Sequence, residues 1–490
     1  MCVTPNVVFV VMDTTRFRTV FSERSVSPEL SQLHSLAEDG VTFTKAHSTA
    51  PWTLPSHASL FTGTHSSRHG AHAGHKQLDD SLRTLPEVFD DAGYETAAVS
   101  NNTWISEEFG FSRGFDTFHK TWQYVQSDTD LGEIARTKEG MEMFRALASR
   151  LTDGNPVVNV ANAVYGKFLR KQKDDGAKQT NEWIANWLTE RSGDDPFFLF
   201  ANYLEPHLEY RPPKQYAERF LPDDVSFEAA MDVSQDAWGY IAGEVSLSDH
   251  EFEILRALYH AEIAYLDERI GELRDLLIEA GEWDDTIFVV TSDHGENIGE
   301  HGMMDHQYCL YDTLTHVPLI IHGDGFGQGT TNDDLIQLTD LVPTLLDAAG
   351  IDDSAMQSQI QGRSFHPESE APTREYLISE YMAPQPSMDA LKKRVGTLTD
   401  ELQRYDRSLR SIRTKEHKLI VGSDGSREFY HVANDPAEQE DLAGRVEQRA
   451  DELEDELEEW LASFEHAETD GTVSMSNDAK SRLEDLGYLQ

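Results

Sequence analysis

Cysteine is almost missing from this chain: 490 residues carry only Cys2 and Cys309. Two cysteines, one of them at the second position, build neither a disulfide framework nor a thiolate zinc site. Long hydrophobic runs are missing too. No stretch approaches the roughly 18 consecutive apolar residues that cross a bilayer as a helix, so no membrane partner is expected. The N-terminus has no basic flank and no small-residue cleavage site, so Val7 to Met12 reads as a buried strand and the expected location is the cytoplasm. Positive charge is the third scarcity, with 41 Lys and Arg against 88 Asp and Glu and a formal net charge of −47. Such a surface repels nucleic acid and anionic lipid. It also repels an anionic substrate unless a local positive centre, such as a metal ion, reverses the field. The acid excess is spread along the whole sequence, the pattern of a protein kept soluble in high salt, where screening weakens self-repulsion.

Hydrophobic residues make up 39% of the chain and aromatics 10%, ample for a core. Asn6-Val-Val-Phe-Val-Val-Met12 is a continuous β-branched run, as expected of a strand covered on both faces. Similar runs recur at Thr96–Ser100, Pro196–Tyr203, Thr286–Ser292 and Val317–His322. Between them lie helical patterns, the longest at Glu253–Glu279, with apolar residues at Ile254, Leu258, Ile263, Leu266 and Ile270. Alternating strands and helices imply an α/β fold with a mostly parallel sheet. In such sheets ligands bind beyond the carboxyl ends of strands, where Asp13 and Asp293-His294 fall. After about residue 376 short strand-like runs (Glu375–Ser379, Arg410–Thr414, Lys418–Val421, Glu428–His431) predict a small antiparallel sheet, followed by an acidic helix over Pro436–Phe464. The expected division is therefore a catalytic domain over 1–375, a C-terminal sheet and helix over 376–465, and a linker and tail over 466–490. Leu131–Thr180 reads as an insertion near the site, and Leu486-Gly-Tyr-Leu489 as an end that docks back.

Four segments can converge on one site: Asp13; Trp52-Thr-Leu-Pro-Ser-His-Ala-Ser-Leu-Phe-Thr-Gly63; Glu205-Pro-His207; and Asp293-His-Gly-Glu-Asn-Ile-Gly-Glu-His-Gly302, running on to His306. Two carboxylates and an imidazole can hold one divalent cation, calcium, magnesium or manganese by ligand type. A hydroxyl added to that set has its pKa lowered and becomes a nucleophile. Free histidines nearby can bind ester oxygens and protonate a leaving group. Taken singly the pieces are weak, because an aspartate after a strand often caps a helix and an Asp-His-Gly can be turn chemistry.

In order and spacing these segments resemble the sulfatase family of the alkaline-phosphatase superfamily. Tyr311-Asp-x-x-x-x-Val-Pro-Leu-Ile320, Thr339-Asp-Leu-Val-Pro-Thr-Leu-Leu-Asp347 and Asp435-Pro-x-Glu438 extend the likeness over residues 5 to 443. The resemblance implies a three-layer α/β sandwich with a smaller C-terminal antiparallel sheet, and Asp13, Thr53, Asp293 and His294 as metal ligands. Thr14 stands where many sulfatases have a second aspartate, which points to a single-metal set. The main departure is the nucleophile. Sulfatases carry Cys or Ser in the register Cys-x-Pro-Ser-Arg and convert it to formylglycine. Here that position is Thr53, and a β-branched threonine cannot give the aldehyde, so formylglycine is not expected. Threonine there is similar to family relatives that pass through a phospho-threonine. Further departures put His57 in place of the arginine, Asn101 or Asn102 in place of a lysine, and His306 in place of another lysine. His207 matches the substrate histidine. Imidazoles in place of fixed charges predict a rate that changes between about pH 6 and 8.

The expected protein is thus a sulfatase-like metal-dependent hydrolase of sulfate or phosphate esters. In it Thr53 is the nucleophile, with His57, His207 and His306 as catalytic or anion-binding partners and Asn101 and Asn102 beside the substrate. The expected substrate is a small anionic ester or glycan. Two alternatives stand beside this reading: a phosphodiesterase or phosphoryl-alcohol transferase acting on a glycan or lipid, and a non-catalytic anion-binding member. The histidines at 65, 69, 72 and 75 form a local cluster with two readings, a second metal site or, preferred here, the loop after the nucleophile helix with one or two members reaching the substrate pocket.

Overall fold

The structure, a computed structural model, describes residues 4–22, 26, 29–121, 175–191, 193, 195–323 and 325–468. The segment 122–174, most of the expected insertion, and the C-terminal Leu-Gly-Tyr-Leu lie outside the described residues.

The strands are, in chain order, β1 (Asn6–Met12), β2 (Val41–Phe43), β3 (Ala46–His47), β4 (Glu95–Ser100), β5 (Thr117–Lys120) and β6 (Phe197–Tyr203). They continue with β7 (Thr286–Thr291), β8 (Asn297–Ile298), β9 (Met304–Asp305), β10 (His316–Val317), β11 (Leu319–His322), β12 (Thr330–Asn332) and β13 (Ile336–Gln337). The last four are β14 (Leu377–Tyr381), β15 (Leu409–Arg413), β16 (Lys418–Gly422) and β17 (Arg427–Tyr430). Eight of them form one sheet in the order β12-β2-β11-β7-β1-β6-β4-β5. β7, β1, β6, β4 and β5 run parallel, and β11 is antiparallel to both its neighbours.

Residues of β1 alternate between two cores. Val7, Phe9 and Val11 join one, with the helices Thr53–Thr62, Leu85–Asp91 and Leu341–Ala349. Val8, Val10 and Met12 join the other, with the helices Ser31–Asp39, Ala177–Glu190 and Asp249–Ala280. Helices on both faces explain why β1 is apolar at every position from Val7 to Met12. The long helix starts at Asp249, four residues earlier than its periodicity predicts. Ser248 caps it with a reciprocal bond to Glu251, and Gly281, at φ 79°, ends it.

Two expected elements are corrected. The run Val317–His322 is divided: β10 pairs with β3 in a three-stranded sheet, while β11 pairs with β7 and β2. Pro318 lies between them without an N–H to give to either ladder, and its carbonyl accepts from Thr291 Oγ1 at 2.8 Å. The acidic helix begins at Glu447, not Pro436. Residues 436–446 are turns because Asp435 Oδ2 takes the Gln439 and Glu440 amides and Glu438, at φ 52°, turns inward.

β14 to β17 form the antiparallel C-terminal sheet. One face packs on Leu453 and Leu457 of the helix Glu447–Ala462; the other sends Tyr381, Leu409, Ile420 and Tyr430 into the core of the large sheet. A buried charge cluster ties the two sheets. Lys418 Nζ lies 2.8 Å from Asp312 Oδ1 and 2.8 Å from Glu438 Oε1, and Glu438 also accepts the Asp312 amide at 2.6 Å. Removing the cation strands the buried Glu438 carboxylate, while Asp312 keeps Arg413 at 3.1 Å. Lys418→Met is therefore expected to destabilise the protein by about 3–5 kcal/mol, read as a lower midpoint of thermal or urea unfolding. An unchanged midpoint would show that the cluster contributes nothing.

Candidate active site

The order β7-β1-β6-β4 brings four carboxyl ends side by side. Asp293 and His294 follow β7, Asp13 follows β1, Glu205 and His207 follow β6, and Asn101 and Asn102 follow β4. Thr53 arrives differently, as the first residue of the helix Thr53–Thr62. Ser56, one turn on, donates to the Asp293 carbonyl at 2.7 Å and pins the helix start to the loop after β7. The positive end of the helix dipole thus lies at the Thr53 hydroxyl.

His294 Nδ1 donates to the Gly295 carbonyl at 2.8 Å, which leaves Nε2 as a bare acceptor turned into the cluster. That nitrogen is 3.4 Å from Thr53 Oγ1, 3.4 Å from Asp293 Oδ2 and 3.7 Å from Asp13 Oδ1. Asp293 Oδ1 accepts the amides of His294 (2.9 Å) and Thr14 (3.3 Å), and Asp13 Oδ2 accepts Asn102 Nδ2 at 2.6 Å. The remaining oxygens, Asp13 Oδ1 and Asp293 Oδ2, are buried with no hydrogen-bond partner. Two orphaned carboxylate oxygens facing an imidazole lone pair are costly in a low dielectric unless a cation joins them. With ligand atoms all within 4.8 Å of one another, Asp13, Asp293 and His294 fit one divalent ion, and Thr53 Oγ1 stands beside them. Burial, and then the charge of Asp293, pushes Asp13 well above the carboxylate range, and burial pushes Asp293 up to about 7. Both shifts describe carboxylates lacking a counter-charge.

The turn after β1 is held from below. Thr14 has φ 58°, its carbonyl accepts Tyr259 Oη at 2.8 Å, and that hydroxyl accepts the Arg16 amide at 3.1 Å. Arg16 is engaged by Glu300 at 2.9 Å.

The other expected residues divide. Asn102 is at the centre: besides Asp13, its Nδ2 is 3.4 Å from Thr53 Oγ1. Asn101 is not. It accepts Thr180 Oγ1 at 3.0 Å on the far side, because successive residues leaving a strand face opposite ways. His57 is drawn inward as well. Its Nδ1 donates back to the Thr53 carbonyl at 3.0 Å and lies 3.4 Å from Asp293 Oδ2, while Nε2 faces Asn202 Nδ2 at 3.5 Å. Burial lowers His57 to about 4, so it is neutral and does not replace the arginine's charge. His306 goes the opposite way. Burial pushes it down, but Asp305 and Glu296 together hold it well above an ordinary histidine. Neither imidazole is thus an ordinary histidine here: burial favours the neutral form of His57, and the two carboxylates favour the charged form of His306. The His306 ring lies 4.5 Å from that of His294 and 5.2 Å from that of His207.

Four participants escaped the sequence reading: Ser56, Asn202, Glu296 and Asp305. Glu296 stands inside the Asp-His-Gly-Glu motif, so the motif was a signal without an assigned role. Asn202 gave none, being a polar residue inside an apolar strand. The clustered histidines do not converge on an ion among the described residues. His69 is satisfied by Ser59 Oγ (3.2 Å) and the Ala71 amide (3.0 Å), and His65 packs against Trp460. Asn102→Ala removes the amide that orients Asp13 and is expected to weaken metal binding about 10–100-fold, measured by titration calorimetry. Unchanged affinity would mean that Asp13 needs no such support.

A parallel sheet that gathers two carboxylates, an imidazole and a helix-borne hydroxyl at one edge has the equipment of an ester hydrolase. Residues 5–351 match the family model described as Sulfatase, and residues 299–467 match the model described as N-sulphoglucosamine sulphohydrolase, C-terminal. The chain belongs to the sulfatase family, and so to the sulfatase-like ester hydrolases. It is 23% identical over 515 residues to an arylsulfatase of Clostridium perfringens, covering 98% of this chain and 99% of that one. It is 25% identical over 529 residues to an N-acetylglucosamine-6-O-sulfatase of Bacteroides thetaiotaomicron, covering 95% and 88%. Among solved structures, a phosphonate monoester hydrolase of Agrobacterium radiobacter superposes with a TM-score of 0.66 at 20% identity, over 94% of this chain and 95% of that one. A protein solved with its substrate D-glucosamine-2-N,6-O-disulfate superposes with a TM-score of 0.68 at 21% identity, over 94% and 98%. These likenesses bear out the α/β fold with its small antiparallel sheet. No described helix is long and apolar enough to cross a membrane.

Proposed function

We propose that the protein hydrolyses a sulfate or phosphate ester of a small anionic compound, a sugar ester among the first candidates, with Thr53 as the nucleophile. The observation that carries this reading is the pair of orphaned oxygens, Asp13 Oδ1 and Asp293 Oδ2, turned toward His294 Nε2 with Thr53 Oγ1 3.4 Å from that nitrogen. A divalent ion held by Asp13, Asp293 and His294, with Thr53 as a further ligand, would lower the pKa of the Thr53 hydroxyl and offset charge on the ester.

The chain's own groups do the rest. Thr53 Oγ, at the positive end of its helix, bonds to the sulfur or phosphorus while the bond to the alcohol oxygen breaks. His306, which carries a proton between Asp305 and Glu296, and its neighbour His207 face the side where that oxygen leaves, and one of them supplies its proton. Water then cleaves the Thr53 ester, restoring the hydroxyl and releasing the inorganic anion. His57 positions the nucleophile: its bond to the Thr53 carbonyl fixes the first turn of the helix. A threonine ester has no second hydroxyl with which to expel sulfate, which favours phosphorus over sulfur. The phosphonate monoester hydrolase among the structural neighbours supports keeping both esters in view.

The test is a parallel screen of an aryl sulfate, an aryl phosphate monoester and an aryl phosphodiester, in high salt with manganese, magnesium or calcium. High salt suits the diffuse charge of −47. Turnover of any of them that survives in Thr53→Ala refutes the nucleophile. No turnover, and no adduct on Thr53 in the intact mass, favours a non-catalytic anion binder.

A further inference from the structure

The proposed reaction needs positive charge for the ester's oxygens, and the site holds little of it. His57 is neutral, Asn101 faces away, and Arg16 is engaged by Glu300. Carboxylates are abundant by contrast: Asp13, Asp293, Glu296 and Asp305 are all buried there. One divalent ion answers two of these charges. A proton on His306 answers one of the remaining two, and a bound anion would add more negative charge.

The hairpin after β7 gathers the surplus. β8 and β9 pair Asn297 with Asp305, so Glu296, just before β8, comes opposite His306, just after β9. His306 Nδ1 lies 2.5 Å from Asp305 Oδ1 and 3.5 Å from Glu296 Oε1. Ligand atoms of Glu296, Asp305 and His306 all lie within 4.8 Å of one another. Asp305 Oδ1 also takes the His306 amide at 2.7 Å, and its Oδ2 takes Gln307 Nε2. Glu296 differs. It is wholly buried, and neither carboxylate oxygen has a hydrogen-bond partner. Clamping an imidazolium needs one carboxylate, and Asp305 already supplies it at the shorter distance. Glu296 is surplus to that role.

We propose that Glu296, Asp305 and His306 hold a second divalent cation, next to the ion held by Asp13, Asp293 and His294. The two ligand sets meet through the His294 and His306 rings, 4.5 Å apart, and the His207 ring lies 5.2 Å from that of His306. Two carboxylates and an imidazole repeat the donor set of the first group, so both take the same borderline ions. A cation there displaces the His306 proton and so leaves His207 to protonate the departing oxygen. It also leaves the four carboxylates balanced by two dications and gives an ester oxygen the positive partner that the lost arginine and lysines do not provide. This inference rests on the first ion set of the proposed function.

The test counts ions. The whole chain is stripped with a chelator, reloaded with Mn2+, desalted and measured by plasma mass spectrometry and electron paramagnetic resonance. The expected result is two Mn2+ per wild-type chain with a coupled spin signal, and one uncoupled Mn2+ in either Glu296→Gln or Asp293→Asn. One ion in wild type and in Glu296→Gln, lost in Asp293→Asn, overturns the second site and leaves the proposed function standing. Two coupled ions in both wild type and Asp293→Asn, with one in Glu296→Gln, overturns the first ion set instead. The wild-type count and spin coupling need no variant, so a Glu296→Gln chain that fails to fold does not remove the test.

Discussion

Replacing Thr53 by alanine is expected to lower kcat/KM on the best ester about 10^4-fold or more, the scale on which a nucleophile working as part of a unit is lost. The residual rate comes from the ion and the anion-binding histidines acting on water. Thr53→Ser keeps the hydroxyl at the same helix start and is expected to retain most of the activity. The contrast between the two variants matters more than either alone, because the alanine also removes a hydroxyl from the ion's surroundings. Metal content measured in parallel separates the two effects. Loss of turnover with the ion still bound assigns the defect to the nucleophile. Wild-type turnover in Thr53→Ala would sink the proposed chemistry and make Thr53 a buried residue whose contact with His294 is incidental.

The second large effect is expected on removing metal, and its sign follows from Asp293. Burial holds this carboxyl at about 7 in the folded, metal-free protein, against roughly 3.9 in an unfolded chain. Between those values the folded protein binds a proton that the unfolded chain has released. Stability of the stripped protein therefore falls as pH rises from about 4 to about 7 and levels off above. Asp13 is shifted in the same direction, by burial and by the charge of Asp293. A difference of about three units corresponds to roughly 4 kcal/mol for Asp293 alone. A bound cation takes the place of those protons, so it stabilises most above pH 7 and least near pH 5. Scanning calorimetry with chelator and with excess Mn2+, at pH 5, 6, 7 and 8, measures this as a gap in Tm that widens with pH. Glu438, also raised to about 7 by burial, belongs to the Lys418 cluster and affects both curves alike, so it drops out of the gap. A gap of equal size at pH 5 and pH 8 would mean that Asp13 and Asp293 do not hold the ion.

The parallel strands were the most legible part of the sequence. A strand covered on both faces carries a short run of small and apolar residues without alternation, so β1, β4, β6 and β7 could be found within a residue or two, and with them the edge that carries Asp13 and Asp293. Side-chain direction was not legible. Asn101 and Asn102 are identical residues side by side, and only the way the chain leaves β4 decides that one meets Asp13 and the other Thr180. The same limit hid the character of His57. Its helix position predicts nearness to Thr53, but its neutrality comes from burial and a bond back to its own first turn. Periodicity over Pro436–Phe464 joined two unlike segments, because the acidic residues that fill turns at 436–446 have the same composition as those on the helix that follows. Glu438 in particular is not a solvated helix residue but a buried partner of Lys418.

That partnership bears on how such a chain can diversify. Asp312 belongs to the stretch that follows the ion-binding motif, whereas its two cationic partners, Lys418 and Arg413, and the Glu438 that shares Lys418, belong to the C-terminal sheet and the turn after it. Recombination between relatives that exchanged only the C-terminal third would have to bring in a matching arginine, lysine and glutamate, or leave an aspartate stranded in the interior. The two sheets are thus expected to be inherited together, and new substrate preferences to arise in the loops around the site, not by trading one sheet for another.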